Sequence, residues 1–543
     1  MMRIRILALG AAALLASSTP LPAAENAGKE DLDQATELQL TAKSLADVEK
    51  VIALCETALQ KGLDDANRDY ARKLLVSALW KHASRLADAI LERPGPRRGW
   101  QAIGQVALRD LDKLLEYDAR FADAYLLRAR LLALLGANRG EARQAVDKAI
   151  ELFQDDAKKR AAALIVRSEL QENSEQQLQD LTAAVEADPG STEAWQARAA
   201  YHIANGKLDK AVEDFERLLQ GDPKNIEARQ AIAEALIKLD QLDLALDHAN
   251  KALAAAPDLA LNYLLRAEVY EAQGKIKEAF ADLDKALAME PKNPLALLMR
   301  ARLHFVQDDL AAAKADVDRL LQLQPGMTRG ILLRSMIAAA QGRFQDAIGD
   351  VRLLLRQDPK NVELRLQLAA LYVADQRPRK AIDLLGEVLQ DDKDNWRALR
   401  ARGDALLSIG KHAEAIQDYN AALKRKPDDH GLLNNLAWVL ATSPVDALRD
   451  GKRSIELGTK ACELTKYQMP HILSTLAAGY AETGDFETAI KWSTKAVELG
   501  REKQHDQLEQ LQQELDSYKR REKWRELQNV EEKPDPPRSL IET

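Results

Sequence analysis

Small and apolar residues return along the middle of this chain on a fixed beat. An alanine recurs every 34 residues, at Ala211, Ala245, Ala279, Ala313, Ala347, Ala381 and Ala415. Twelve residues before each stands another small side chain: Ala199, Ala233, Ala267, Ala301, Ser335, Ala369 and Gly403. Proline keeps the same period at Pro189, Pro223, Pro257, Pro291, Pro325, Pro359 and Pro427, with Lys393 in the one slot that lacks it. A period of this length predicts stacked two-helix units. Each unit reads as helix A, a tight turn often holding glycine (Gly206, Gly274, Gly342, Gly410), then helix B. Proline ends helix B, and a nearby Asp or Asn can cap the next helix.

Seven regular units occupy 192–225, 226–259, 260–293, 294–327, 328–361, 362–395 and 396–429. A first unit begins at Ala122 with Tyr125, Ala129, Gly136 and Ala142, and a degenerate one with a turn at Glu172–Glu175 follows it. Two further units fill 430–503, the first with a long linker around Pro444 to Gly451. Residues 25–121 are expected to form a helical capping region, because a solenoid end needs a polar outer face. Within it, 25–40 reads as polar and poorly ordered, and Leu45, Val48, Ile52, Cys55 and Leu59 have the spacing of a buried helix face. Residues 93–99 read as a loop broken by Pro94, Gly95, Pro96 and Gly99. A charged helix is expected over 502–528, its Leu508, Leu511 and Leu515 covering the last repeat. A coiled-coil seam is the alternative use of those leucines. Residues 529–543 read as a disordered tail.

These marks resemble the tetratricopeptide repeat. That family carries a large residue at position 4, small residues at 8 and 20, an aromatic near 24 and proline at 32, and unit 260–293 matches with Tyr263, Ala267, Tyr270, Ala279, Leu283, Ala286 and Pro291. The resemblance covers roughly 122–503. It implies an all-α, right-handed superhelical α-solenoid of about eleven helix pairs with atypical caps. It also implies a concave face lined by helix A, at positions near 2, 5, 9 and 12.

Two constellations follow from the register. Units with arginine at position 7 carry aspartate sixteen residues later: Arg198/Asp214, Arg266/Asp282, Arg300/Asp316, Arg334/Asp350 and Arg402/Asp418. The units lacking that arginine, with Ile232/His248 and Leu368/Leu384, lack the aspartate too. Paired gain and loss predicts contact between the positions. A charge-assisted bond between helices A and B is the expectation, rather than free arginines reading an acidic ligand. On the concave face the candidate partner-binding groove is Leu264, Glu268, Leu298, Arg302, Phe305, Leu332, Met336 and Leu366. An apolar strip with charged ends suits an extended peptide or an amphipathic helix. The Lys/Asn set with which chaperone-adaptor members clamp a C-terminal carboxylate is not visible in these units.

Composition narrows the function further. Arg3 and Arg5 followed by an apolar run from Ile6 to Ala16 and small residues to Ala24 read as a signal peptide of residues 1–24. The run is shorter than the roughly 18–20 residues a membrane span needs. An uncleaved signal is the one membrane contact considered. A formal net charge of −8, more negative once those arginines leave, argues against nucleic acid and anionic membrane. The two cysteines, Cys55 and Cys462, are too far apart along a solenoid to pair and read as core residues. The eight histidines lack metal-ligand spacing, and GxSxG, GxGxxG and P-loop signatures are absent; Asp450–Ser454 is only a P-loop fragment. The expectation is therefore an exported, periplasmic or extracellular bacterial scaffold without catalytic residues, cofactor, metal or small-molecule substrate, binding protein or peptide partners. An envelope-assembly subunit contacting polymer or glycan is the alternative, and an enzyme stands third.

Overall fold

The computed structural model describes residues 26–91, 99–136, 138–526 and 533. The expected signal peptide at 1–24 and, Lys533 apart, the expected tail at 529–543 lie outside these, as does most of the 93–99 loop. Among the described residues every regular element is helical. The chain forms two compact units, Met1–Lys275 and Ile276–Thr543.

The first unit contains α1 (Lys29–Thr41), α2 (Leu45–Lys61), α3 (Asp65–Leu91), α4 (Trp100–Tyr117), α5 (Ala122–Leu134), α6 (Arg139–Leu152), α7 (Ala157–Glu169), α8 (Ser174–Ala187), α9 (Thr192–Ala204), α10 (Leu208–Gly221), α11 (Ile226–Lys238), α12 (Leu242–Ala255) and α13 (Ala260–Ala272). The second contains α14 (Ile276–Met289), α15 (Pro294–Val306), α16 (Leu310–Leu323), α17 (Thr328–Ala340), α18 (Phe344–Gln357), α19 (Val362–Ala374), α20 (Pro378–Asp391), α21 (Trp396–Ser408), α22 (His412–Arg425), α23 (His430–Thr442), α24 (Gly451–Leu464), α25 (Pro470–Thr483), α26 (Phe486–Glu502) and α27 (Leu508–Lys519). Within each, successive helices pack on one another, so both are α-solenoid stacks of helix pairs.

The periodic small residues stand where helices A and B cross. Ala199, Ala233, Ala301 and Ser335, and every alanine of the second series, are fully buried or nearly so. A larger side chain there would force the helix axes apart. Ser335 is tolerated because its hydroxyl donates to the Ala347 carbonyl at 3.0 Å. Each A helix starts at a cap set by the period. Asn225, Asn293, Asn361, Asn395 and Asp429 all accept from the backbone N–H three residues on. Leu259 takes the same slot without a cap, and buried Asn262 instead ties α13 to the end of α12 through the Ala252 and Ala256 carbonyls. The A–B turn needs a left-handed residue. Gly206, Gly274, Gly342 and Gly410 supply it, and Asp240, Asp308 and Gln376 adopt the same conformation in the other units.

Two terminal expectations are corrected. Of the stretch 25–40, the part from Lys29 on is helical: α1 closes on α2, burying Leu32 and Ala35 completely, while the Gly28 N–H donates to the Gly62 carbonyl at 3.0 Å. At the other end the chain is not one helix over 502–528. Helix α26 ends at Glu502, α27 spans only Leu508–Lys519, and Arg521 turns left-handed at φ 60°. Leu511 and Leu515 of α27 pack with Leu473, Leu476 and Val497 of α25 and α26. Each such leucine contributes about 1.5–3 kcal/mol of burial. Both cysteines are free and buried, and burial pushes each thiol up to about 12.

Candidate partner-binding face

Within the second unit, A helices touch in pairs: α15 meets α17, α19 meets α21, and α23 meets α25. The A-helix face there is stepped. Leu298, Phe305 and Leu332 are half-buried against the core of α15 to α19, and Leu366 is half-buried against that of α19 to α23. Above this apolar floor Met336 (44%), Leu295 (43%) and Val306 (63%) stand exposed, with Val373 nearby in register. Arg302 is exposed on the same helix as Leu295 and Val306.

In the first unit the face differs from the sequence expectation. Leu264 is only 2% exposed and belongs to the core, which removes it from the groove. Position 5 is thus buried in α13, whereas the same position of α15, Leu298, is only half-buried. Glu268 is exposed, as is Leu261. The sequence also underweighted position 13: Val306 is the most exposed apolar side chain of α15. A separate cleft of about 1090 Å³ opens in the first unit, lined by Leu134, Ile165 and Leu91 with Arg130, Lys158 and Glu169.

The arginines at position 7 form forks. Arg198 donates from Nε and Nη2 to the two oxygens of Asp214 at 3.0 and 2.7 Å. Arg334 does so to Asp350 at 2.9 and 2.6 Å, and Arg402 to Asp418 at 2.7 and 2.8 Å. Arg300 goes further: its fork on Asp316 spans 2.7 and 2.8 Å, and its Nη1 reaches Asp284 of the preceding repeat at 2.6 Å. Arg266 and Asp282 stand on either side of the division between the units. Arg266 donates to Asn250 at 3.0 Å, sixteen residues upstream, and Asp282 is buried.

The carboxylates are nearly inaccessible, and the bonds they accept hold the Arg300, Arg334 and Arg402 guanidinium groups more firmly protonated than usual. A guanidinium whose fork is closed on a buried carboxylate offers little to an acidic ligand. In one of the two units lacking the pair, Ile232 is fully buried and His248 turns its Nε2 to Glu216 at 3.1 Å. Burial lowers the His248 pKa, with Glu216 opposing.

Sequence reasoning missed an equivalent in the degenerate unit. Arg167 donates to Asp180 at 3.0 and 2.5 Å and to Asp147 at 3.0 Å. The separation is thirteen residues rather than sixteen, so a fixed-offset search passes over it; pairing every buried-face arginine with aspartates on both adjoining helices would have found it. Among the described residues no group of three or more His, Cys, Asp or Glu is placed to hold a metal ion.

Comparison with known proteins adds a family to this geometry. One tetratricopeptide repeat model matches residues 171–226 and 366–430, and a second matches 202–268 and 270–333. An uncharacterized protein, y4yS, of Sinorhizobium fredii is 37% identical over 81 residues, which is 15% of this chain and 44% of that protein. DnaJ homolog subfamily C member 3 of Rattus norvegicus is 35% identical over 75 residues, 14% of this chain and 15% of that protein. This chain thus spans less than half the length of these relatives. A solved TPR protein from Thermus thermophilus aligns at 22% identity and a TM-score of 0.31, over 34% of this chain and all of that one. The helix pairs that these models match are tetratricopeptide repeats.

Proposed function

We propose that this chain is a non-enzymatic scaffold that binds a peptide or helix of a protein partner on the A-helix face of its second unit. Tetratricopeptide repeats support a protein-interaction role in general. The observation that carries the finer reading is the exposed apolar set Leu295, Val306 and Met336 over the half-buried floor of Leu298, Phe305, Leu332 and Leu366. Exposed apolar side chains grouped on a rigid surface favour docking, because little ordering entropy is lost when a partner arrives. With the arginine forks closed, selectivity rests on apolar shape.

The test is binding by a variant that leaves the core alone. Met336→Asp with Val306→Asp changes only exposed positions, whereas Leu298 or Phe305 would disturb the packing below. Partners captured from envelope extract by the intact chain should be lost by the double variant while its thermal melt is unchanged. Equal capture would refute the reading. Export to the periplasm or the extracellular space is part of the same proposal and rests on residues 1–24. Fractionation of cells expressing the tagged chain checks it.

A further inference from the structure

The second unit already holds a peptide, and it is the chain's own. After α27 the left-handed Arg521 reverses the backbone, and the turn is closed by the Glu522 N–H on the Ser517 carbonyl at 3.0 Å. The non-helical residues Lys523 to Glu526 then lie across the C-terminal ends of α23 and α25. Lys523 Nζ donates to the Glu482 carbonyl at 2.8 Å. Trp524 is half-buried against a cluster containing Ala441, Ala477, Ala478 and Ala481. Arg525 donates to the Glu482 carboxylate at 2.7 Å and to the Ala441 carbonyl at 3.2 Å. The Glu526 N–H meets the Thr442 carbonyl at 3.1 Å, and its carboxylate accepts from the Trp438 indole N–H.

The receiving groups share a chemistry. The last carbonyls of a helix lack intrahelical donors and carry the negative end of its dipole. Two A helices supply them side by side here. Glu482 adds a carboxylate that Arg449 fixes through Nε at 3.1 Å. Trp438 supplies an outward donor, and the alanines leave a slot for an indole. Just past the end of α19, the Lys533 N–H donates to the Gln376 carbonyl at 3.1 Å, and its Nζ lies 3.6 Å from Asp375.

We propose that Trp438, Ala441, Thr442 and Glu482 form a recognition site for a short extended peptide of order cation, aromatic, cation, carboxylate, occupied in cis by Lys523 to Glu526. The inference rests on the repeats being a protein-binding array and names the chemistry of one ligand. A partner segment carrying that order displaces the chain's own residues. Cis occupancy raises the concentration a competitor needs, because a tethered segment acts at a high effective concentration.

The experiment uses the synthetic peptide Arg-Glu-Lys-Trp-Arg-Glu, the sequence of residues 521–526, labelled for fluorescence anisotropy. Its hosts are the intact chain and a chain ending at Arg520, which retains α27. The shortened chain should bind the peptide saturably, at least about tenfold more tightly than the intact chain does. Glu482→Gln in the shortened chain should weaken that binding, and a peptide with alanine for tryptophan should not bind. A full-length Trp524→Ala, Arg525→Ala variant serves as a second host should the truncation perturb folding. It keeps α27 and the turn at Arg521 and should also accept the peptide. No saturable binding to either host with an unchanged helical spectrum would overturn the proposal. Met336 and Val306 are intact in every host, so this result stands apart from failure of the A-helix reading.

Discussion

Glu514 offers a stringent test of the way α27 closes the array. It is 1% exposed on α27. Ser474 of α25 donates to one carboxylate oxygen, and Gln510 donates to the other at 2.9 Å. Burial pushes its pKa up from 4.5 to about 6, against the two donors, and the Glu526 carboxylate adds a smaller push in the same direction. The folded chain therefore holds this proton more tightly than the unfolded chain does. Stability from this group is complete below the unfolded value and is lost as pH rises through the folded one. A rise of that size corresponds to about 2 kcal/mol. Glu514→Gln keeps the shape and removes the charge. Its stability relative to the parent should thus be near level at about pH 4 and improve by about 2 kcal/mol by about pH 8. Urea unfolding followed by tryptophan fluorescence measures it, since Trp438, Trp492 and Trp524 all border the terminal cluster. A difference that stays constant across that range, or a variant that loses ground as pH rises, would show that Glu514 is not the buried acid described.

Two further outcomes follow from the packing. Removing Arg300 strands the buried Asp316, and removing Asp316 opens the Arg300 fork and leaves the Nη1 bond to Asp284. The double change Arg300→Ala with Asp316→Ala should therefore be less destabilising than the two singles summed, by about 1–3 kcal/mol in a denaturation cycle; additive effects would remove the claim of direct coupling. At Gly403 an added Cβ would stand 2.7 Å from Cε1 of the fully buried Tyr419. Gly403→Ala should cost about 1–3 kcal/mol by chemical denaturation. Adding Tyr419→Leu should recover most of it, since unit 362–395 pairs Ala369 with Leu385 at the same positions.

Much of the fold was legible because the crossing of two helices tolerates few side chains. Alanine at the second small position is buried in all seven regular units, and the caps at Asn225, Asn293, Asn361 and Asn395 follow from the same register. Gly403 was legible as small, but its reason lies in Tyr419, about fifty ångströms away along an extended chain and adjacent in space. Helix α1 was not legible because its pattern is thin: Leu32 and Ala35 are its only buried residues. The end of α27 was hidden for the opposite reason. Residues 520–526 are good helix formers without glycine or proline, and tertiary bonds to the ends of α23 and α25 outweigh their local preference.

The candidate site was only half legible, and Leu264 and Met336 show why. A leucine at position 5 has the same letter whether it meets a neighbouring helix or solvent. Its burial is set by what packs over it in the folded chain, which the spacing within one unit does not record. Charge was more readable, because an arginine facing a core must bring its own partner, and the sixteen-residue spacing records that need. The two surfaces proposed for the second unit would consequently select on different grounds. The strip around Met336 has the neighbouring Arg300 and Arg334 forks closed on buried aspartates and would ask for apolar shape. The ends of α23 and α25 present carbonyls and Glu482 and ask for cations around an aromatic ring. Salt screens the second attraction and leaves the first, so ionic strength separates partners held by one surface from those held by the other.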